Sequence, residues 1–342
     1  MSASKKRKKN SSKKSEMKNL EWDNIAGVSL KAIKQADSTY HVPVLAKQTL
    51  AFLQPASGML MLDGTAGGGG HSSLMLEAGA DVIALDQDPE ALIECAGRLK
   101  KFGTRARIVE SNFRNAPQAF AQIGEERLVN GALLDIGVSS HQLDAASRGF
   151  SLMQDGPLDM RMSPRAGMTA ADAVNTMPVA ELARIFKDYG EEPMARRIAT
   201  HIGEVRARKP FQTTLELAKA VEEVSPRRGP RHPATRIFQA LRIHVNDELG
   251  ALREALHELP ALLAPGARLA IITFHSLEDR IVKVFFRETS REWIDRPEWP
   301  QPRRNPDRLF KLLTTHPISA SESEIDENPR SRSAKLRVVE KI

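Results

Sequence analysis

The sequence predicts an α/β fold, a doubly wound and mostly parallel sheet interrupted by an inserted all-helical domain. Short apolar runs alternate with helical patterns between residues 45 and 136, as expected of βαβ units. The alternation then stops for about a hundred residues that carry helical periodicity and no good strand. It resumes with an apolar run at Arg268–Thr273.

Taken in order, Leu45–Leu53 suggests an opening helix and Met59–Leu62 a first buried strand, with a helix starting near His71. Asp81–Asp86 is a second strand, and Pro89–Leu99 a helix whose proline suits the first turn. Arg107–Glu110 is the third strand, Ala116–Ile123 a helix, and Gly131–Ile136 the fourth strand, followed by a loop at Gly137–Gln142. Helical patterns follow at Val179–Tyr189, Met194–Arg206 and Leu215–Val224. One long amphipathic pattern, Thr235–Leu263, ends before Pro265 and Gly266, which stop a helix well. Lys335–Glu340 reads as a closing strand. The expected organisation is a disordered basic tail at 1–36, a core made of 37–141 and 250–342, and an inserted helical substrate-recognition domain at 142–249.

A hydrophobic content of 41% in 342 residues supports a sizeable core. No apolar stretch approaches the roughly 18 residues of a membrane span, and the N-terminus lacks the apolar core of a secretory signal, so a cytoplasmic protein is expected. The lone Cys95 cannot form an internal disulfide and is expected to pack in the interior. The formal charge of +7 is concentrated at one end: residues 1–18 hold eight basic side chains and one acid, leaving the rest balanced. Such a tail strengthens binding to polyanions in a salt-dependent way. Within the helical region Arg196, Arg197, Arg206, Arg208 and Lys209, then Arg227, Arg228, Arg231 and Arg236, either hold phosphates or form an ordinary solvated surface. Aromatic residues at 5% argue against an open stacking platform for long single strands.

The most informative segment is Met59–His71, MLMLDGTAGGGGH. A strand, a carboxylate and a glycine loop follow one another there, at the carboxyl edge where open α/β sheets bind ligands. Dinucleotide folds also use a glycine loop, to seat a pyrophosphate. Asp63, placed before the glycines, would repel a pyrophosphate but could pair, directly or through water, with the cationic amino end of S-adenosylmethionine. Asp86, ending the second strand about twenty residues on, stands where an acid hydrogen-bonds ribose hydroxyls. These residues point to a methyltransferase.

From about Tyr40 to the C-terminus the chain resembles the MraW/RsmH family of S-adenosylmethionine-dependent methyltransferases of bacterial small-subunit ribosomal RNA. The resemblance is carried by DGTAGGGGHS at Asp63–Ser72, ALDQDP at Ala84–Pro89, LLDIGVSSHQLD at Leu133–Asp144, RGFS at Arg148–Ser151 and DGPLDMRM at Asp155–Met162. Further on stand YGEE at Tyr189–Glu192, HPATRIFQALRIHVNDEL at His232–Leu249, FHSLEDRIVK at Phe274–Lys283 and NPRSRSAKLR at Asn328–Arg337. The chain departs from the family pattern at His141, where proline is common, at Ala267 in place of a glycine, and at Ser163 in place of an acid.

The resemblance implies a Rossmann-like class I methyltransferase core and N4-methylation of one cytosine in the decoding region of 16S rRNA, with the RNA expected within the small ribosomal subunit at an assembly stage left open, and with no metal. It places cofactor contacts on Gly69, Gly70, His71, Asp86, Phe113, Asp135 and Gln142. Asp135, with the loop after it, is the candidate proton acceptor, by analogy with the corresponding loop of N4-cytosine DNA methyltransferases. Ser139, Asp159, Arg161 and His275 are candidate contacts to the target RNA. For Asp159 and Arg161 a structural ion pair is an equal alternative, and around His275 so is a helix cap formed by Ser276 with Asp279. A non-catalytic RNA-binding ribosome-assembly factor is the competing function, and oligomeric state is left open.

Overall fold

A computed structural model describes residues 43–165, 167–227, 229 and 232–342. The basic tail, and Arg228 and Arg231 of the arginine cluster, lie outside the described residues. In chain order the first half contains α1 (Ala46–Leu53), β1 (Leu60–Asp63), α2 (Gly70–Glu77), β2 (Asp81–Asp86), α3 (Pro89–Leu99), β3 (Ala106–Glu110), α4 (Ala116–Gln122) and β4 (Val129–Asp135). Helices α5 (Ser140–Asp144), α6 (Ala170–Thr176), α7 (Val179–Asp188), α8 (Ala195–Arg206), α9 (Thr214–Val224), α10 (Thr235–Asn246) and α11 (Glu248–Leu262) follow without a strand between them. The chain closes with β5 (Leu263–Thr273), α12 (Ser276–Ser290), β6 (Trp293–Ile294), β7 (Arg303–Arg304), β8 (Phe310–Leu312), α13 (Glu322–Glu327) and β9 (Lys335–Lys341).

Seven strands form one sheet in the order β3-β2-β1-β4-β5-β9-β8. The first five run parallel, with Leu62 facing Ile83 on one side and Ala132 on the other. β9 joins β5 antiparallel, and β8 pairs antiparallel with β9. Alternation along each strand divides the core. Leu60, Leu62, Leu85 and Leu134 pack beneath α4, α11 and α12, while Met61, Val82, Leu133 and Ile272 pack against α1, α2 and α3. Because both faces are covered, the parallel strands read as continuous apolar runs. The helices from α6 to α10 enclose a cluster of their own, centred on Phe186, Ile198, Leu217 and Leu241.

Three local features differ from the sequence reading. The Thr235–Leu263 pattern is two helices, because Asp247 adopts φ 47° and ψ 42° between α10 and α11. Aspartate tolerates this left-handed conformation, and an apolar period does not report it. The expected Gly137–Gln142 loop turns into α5 at Ser140. β5 begins at Leu263, before the proline and glycine, and its register against β4 shifts between Val129 and Gly131 to absorb them. The strands β6, β7 and β8, of two or three residues, are too short to show a period.

Candidate active site

The loop after β1 is laced to the two strands beside it. Gly64 N–H donates to the Leu133 carbonyl of β4 at 2.9 Å, and Ala66 N–H to the Leu85 carbonyl of β2 at 2.8 Å. Asp135 N–H donates to Thr65 Oγ1 at 2.6 Å. A side chain at Gly64 would stand 2.5 Å from Leu134 Cδ2 and 3.2 Å from Phe113 Cβ, so any larger residue would have to displace Leu134 for the loop to lie this close to the sheet. The result is a cleft at the carboxyl edge, lined by Thr65, His71, Asp86, Phe113, Asp135 and Gln142 among others.

Asp63 does not face the cleft, which corrects the expectation of a direct pairing with an ammonium group. Its carboxylate is buried under the loop, where it accepts from Ser72 Oγ at 2.6 Å and Thr65 N–H at 3.2 Å. Burial raises its pKa, against the opposing pull of His71 and Ser72. Gly69 is likewise absent from the lining. At φ +78° it turns the chain into α2, and the side chain it lacks would press on Cys95 Sγ at 3.1 Å. Its place in the motif reflects backbone conformation and packing. Gly70 does line the cleft, against Pro43.

On the β2 side, Asp86 Oδ2 accepts from Gly67 N–H at 2.8 Å and Oδ1 from Asp88 N–H at 2.9 Å. Burial nevertheless pushes its carboxyl up to about 6. Phe113 opens a short 3-10 turn after β3, steadied by Asn112 Oδ1 accepting Arg114 N–H at 3.0 Å. Its ring is half-buried at the cleft edge. On the β4 side, Asp135 Oδ1 and His71 Nε2 are buried and have no hydrogen-bond partner among the described residues. His71 Nε2 stands 3.7 Å from Asp135 Oδ2. Enclosed polar atoms left unpaired are costly, so this side is arranged to meet polar groups of a ligand.

Gln142 is buried and committed elsewhere. Its Oε1 accepts Ser139 N–H at 3.0 Å and its Nε2 donates to Asp88 Oδ2 at 2.7 Å. Ser139 Oγ accepts Gln142 N–H at 3.2 Å, completing a capping box at the start of α5. Gln142 therefore shapes the loop between Asp135 and α5. Arg148 Nη1 donates to the same Asp88 oxygen at 2.8 Å, and its Nη2 to the Arg161 and Met162 carbonyls. Met162 is thereby brought to the cleft, its N–H bonded to Asn246 Oδ1 at 2.7 Å.

Asp159 and Arg161 are not in the cleft lining, and of the two alternatives open for them the structure shows the ion pair. Arg161 Nε and Nη2 fork onto the two Asp159 oxygens at 2.8 Å each, holding that carboxyl below its ordinary pKa against the opposing effect of burial. His275 also stands outside the lining, as the residue before α12. The helix is capped one residue earlier than expected: Glu278 Oε2 accepts Phe274 N–H at 2.8 Å and His275 N–H at 3.2 Å. Ser276 instead donates to Glu191 at 2.7 Å, and Asp279 pairs with Arg337 at 2.7 Å. Glu248, His275 and Glu278 bring ligand-type atoms within 4.8 Å of one another. Arg242 already forks onto both Glu248 oxygens at 2.8 Å, so that carboxylate has its cation. Asn246, Glu248, Arg98 and Arg330 line the cleft without having been singled out in the sequence.

Residues 38–342 match the model of the MraW methylase family. The chain belongs to that family. It is 49% identical over 309 residues to the Ribosomal RNA small subunit methyltransferase H of Heliobacterium modesticaldum, covering 89% of this chain and 99% of that protein. It is 50% identical over 310 residues to the protein of the same name from Syntrophotalea carbinolica, covering 88% and 98%. A solved rRNA methylase from Streptococcus thermophilus aligns at 11% identity and a TM-score of 0.40, over 88% of this chain and 99% of that one. The MraW methylase assignment rests on the sequence matches, and the cleft is the one its glycine-loop motif builds.

Proposed function

We propose that the chain transfers a methyl group from S-adenosylmethionine to the N4 amine of one cytosine in the decoding region of small-subunit ribosomal RNA, in the cytoplasm. The observation that carries the reading is the two-sided cleft of an MraW methylase. Asp86 and Phe113 face one end of it, and the unpartnered Asp135 Oδ1 and His71 Nε2 face the other. The relatives' names supply the class of RNA.

The residues fit the cofactor. Asp86 would accept from ribose hydroxyls, Phe113 would cover an adenine face, and Asp135 with His71 would meet the methionine end. When bound, the cofactor supplies an activated sulfonium methyl, so the protein's task is position and electrostatics. The N4 lone pair is delocalised into the cytosine ring, and an acceptor against N4–H favours a pyramidal nitrogen. The Asp135 carboxylate, with the carbonyls of Gly137 and Val138 beside it, would hold that hydrogen and receive the proton. The cytosine must leave its stack to reach the cleft. We assign its recognition to the helical insertion at 142–249, whose Arg148–Met162 segment already reaches the cleft rim. Exposed Arg196, Arg197 and Arg208 are available there for phosphates, whereas Arg206 donates to the Val174 carbonyl and Arg236 faces Glu192.

The test is to incubate the full chain and labelled S-adenosylmethionine with small ribosomal subunits from cells lacking this modification, and to map the product by mass spectrometry. N4-methylcytidine at one decoding-region position is the expected result. Label at another base, or no transfer despite cofactor binding, would refute the substrate assignment.

A further inference from the structure

The segment between β8 and β9 delivers a cation to the cleft that neither the glycine loop nor the strand ends explain. Arg330 lies in the 3-10 turn Pro329–Ser333 and lines the cleft together with Pro43, Gly70, His71 and Asp135. Its backbone is clamped. Asn328 Oδ1 accepts Arg330 N–H at 3.3 Å, and Asn328 N–H donates to the Glu324 carbonyl at 2.7 Å. The Glu324 carboxylate in turn accepts Leu45 N–H at 2.6 Å and Gln48 Nε2 at 3.2 Å. This ties the segment to the chain just after Pro43, the residue against which Gly70 packs. In the sheet order, Asp86 on β2 and Phe113 after β3 lie on one side of β1, while Asp135 on β4 and the approach to β9 lie on the other. The chain thus brings Arg330 to the cleft from the β9 side of β1, with Asp144 of α5 as its neighbour.

The two terminal nitrogens of Arg330 are in different situations. Nη2 donates to Asp144 Oδ1 at 2.7 Å, and Asp144 is 61% exposed, so this pair holds the side chain only weakly. Nη1 is enclosed and has no hydrogen-bond partner among the described residues. An enclosed guanidinium donor is satisfied best by an oxyanion, through a charge-assisted bond. The methionine end of the cofactor carries an ammonium and a carboxylate. Asp135, with its unpartnered oxygen, complements the first; within the proposed cofactor set the second meets only neutral donors, the His71 ring and the N–H groups at the start of α2, and no fixed cation.

We propose that Arg330 is the oxyanion anchor of the cleft and that its Nη1 donates to the cofactor's methionine carboxylate. This rests on the methyltransferase reading above. A backbone phosphate of the target RNA offers the same chemistry from a second source, and the test separates them.

Calorimetry on the full chain compares S-adenosylhomocysteine, which has the amino-acid end, with 5′-methylthioadenosine, which lacks it, for wild type, Arg330→Met, Arg330→Lys and Asp144→Asn. A single-stranded rRNA oligonucleotide is titrated alongside. Arg330→Met should weaken S-adenosylhomocysteine by roughly 10- to 100-fold, the range for a hydrogen bond to a charged group. Methylthioadenosine should bind it as it binds wild type, which also shows that the cleft has folded. Arg330→Lys should recover part of the loss, and Asp144→Asn should bind S-adenosylhomocysteine like wild type. If Arg330→Met spares S-adenosylhomocysteine but weakens the oligonucleotide and lowers its salt dependence, the anion is a phosphate and the carboxylate assignment is overturned. An equal loss in Asp144→Asn, or in methylthioadenosine binding, would reduce Arg330 to a structural bridge and overturn the anchor. Wild type that binds neither nucleoside would instead overturn the methyltransferase reading itself, and the anchor with it.

Discussion

Replacing Asp86 by asparagine tests the adenosine side of the cleft and separates binding from stability. At neutral pH the wild-type carboxylate is held ionised although burial pushes its pKa from 3.8 to about 6, a cost of about 3 kcal/mol at most. Contact with the cleft lowers it, since solvent screens the charge. Asparagine removes that cost but has one acceptor oxygen for the N–H groups of both Gly67 and Asp88. One donor then loses its partner, which costs about 1–3 kcal/mol. The two effects nearly cancel, so the melting temperature at pH 7 should barely move. Cofactor affinity should not be spared. A carboxylate accepting from ribose hydroxyls contributes about 1.5–3 kcal/mol, so S-adenosylhomocysteine should bind roughly 10- to 100-fold more weakly.

The raised pKa also sets a pH signature. Between 3.8 and about 6 the folded protein holds a proton that the unfolded chain has lost, so the stability due to this group falls as pH rises through that window. A ligand that bonds the carboxylate favours the ionised form and releases the proton. Wild-type affinity for S-adenosylhomocysteine should therefore climb as pH approaches about 6 from below and level off above it, with that climb lost in Asp86→Asn. Titration calorimetry in buffers of different ionisation enthalpy measures both the affinity and the proton released. An unchanged affinity in the variant, or the same climb with pH, would refute the placement of Asp86 on the ribose.

Asp135→Asn should weaken S-adenosylhomocysteine by roughly 10- to 100-fold through the lost charge beside its ammonium, and at saturating cofactor should still lower single-turnover methyl transfer by about 100-fold or more, the pattern of a lost proton acceptor; a saturated rate close to wild type would move that role elsewhere. Gly149→Ala should destabilise the chain, because Gly149 holds φ +76° and a side chain there would meet the Pro157 carbonyl at 2.2 Å. The backbone strain alone amounts to about 1–3 kcal/mol, and an unchanged thermal melt would show that the RGFS turn relaxes. Deleting residues 1–18, which carry the whole net charge, should weaken RNA binding at low salt and matter less as salt rises; equal affinity at every salt concentration would exclude an RNA role for the tail.

Most of the sheet and half of the cleft were legible in the chain. Strands β1, β2 and β4 show as apolar runs because both faces of a parallel sheet are buried. Gly70, His71, Asp86, Phe113 and Asp135 follow directly on strand ends or the glycine loop, so local order along the chain places them at the carboxyl edge. What the motif did not show is side-chain direction. Asp63 and Gly69 sit within it yet turn toward Ser72 and Cys95, Gln142 lines the cleft with its amide bonded to Asp88, and for Arg161 the ion pair with Asp159 is the alternative the structure shows.

The remaining residues of the cleft arrive from far along the chain. Asn246 reaches Met162 across 84 positions, and Arg330 reaches Asp144 across 186. Hydrophobic period, glycine placement and charge are properties of a short window, and they sufficed for the α/β alternation, the helical interruption and the glycine-loop cleft. Which polar atoms are satisfied within the protein and which are left for a ligand depends on contacts between segments distant in sequence. Packing of the helical insertion and the C-terminal segment against the sheet leaves atoms of Asp135, His71 and Arg330 buried and unpaired among the described residues, which no short window of sequence shows.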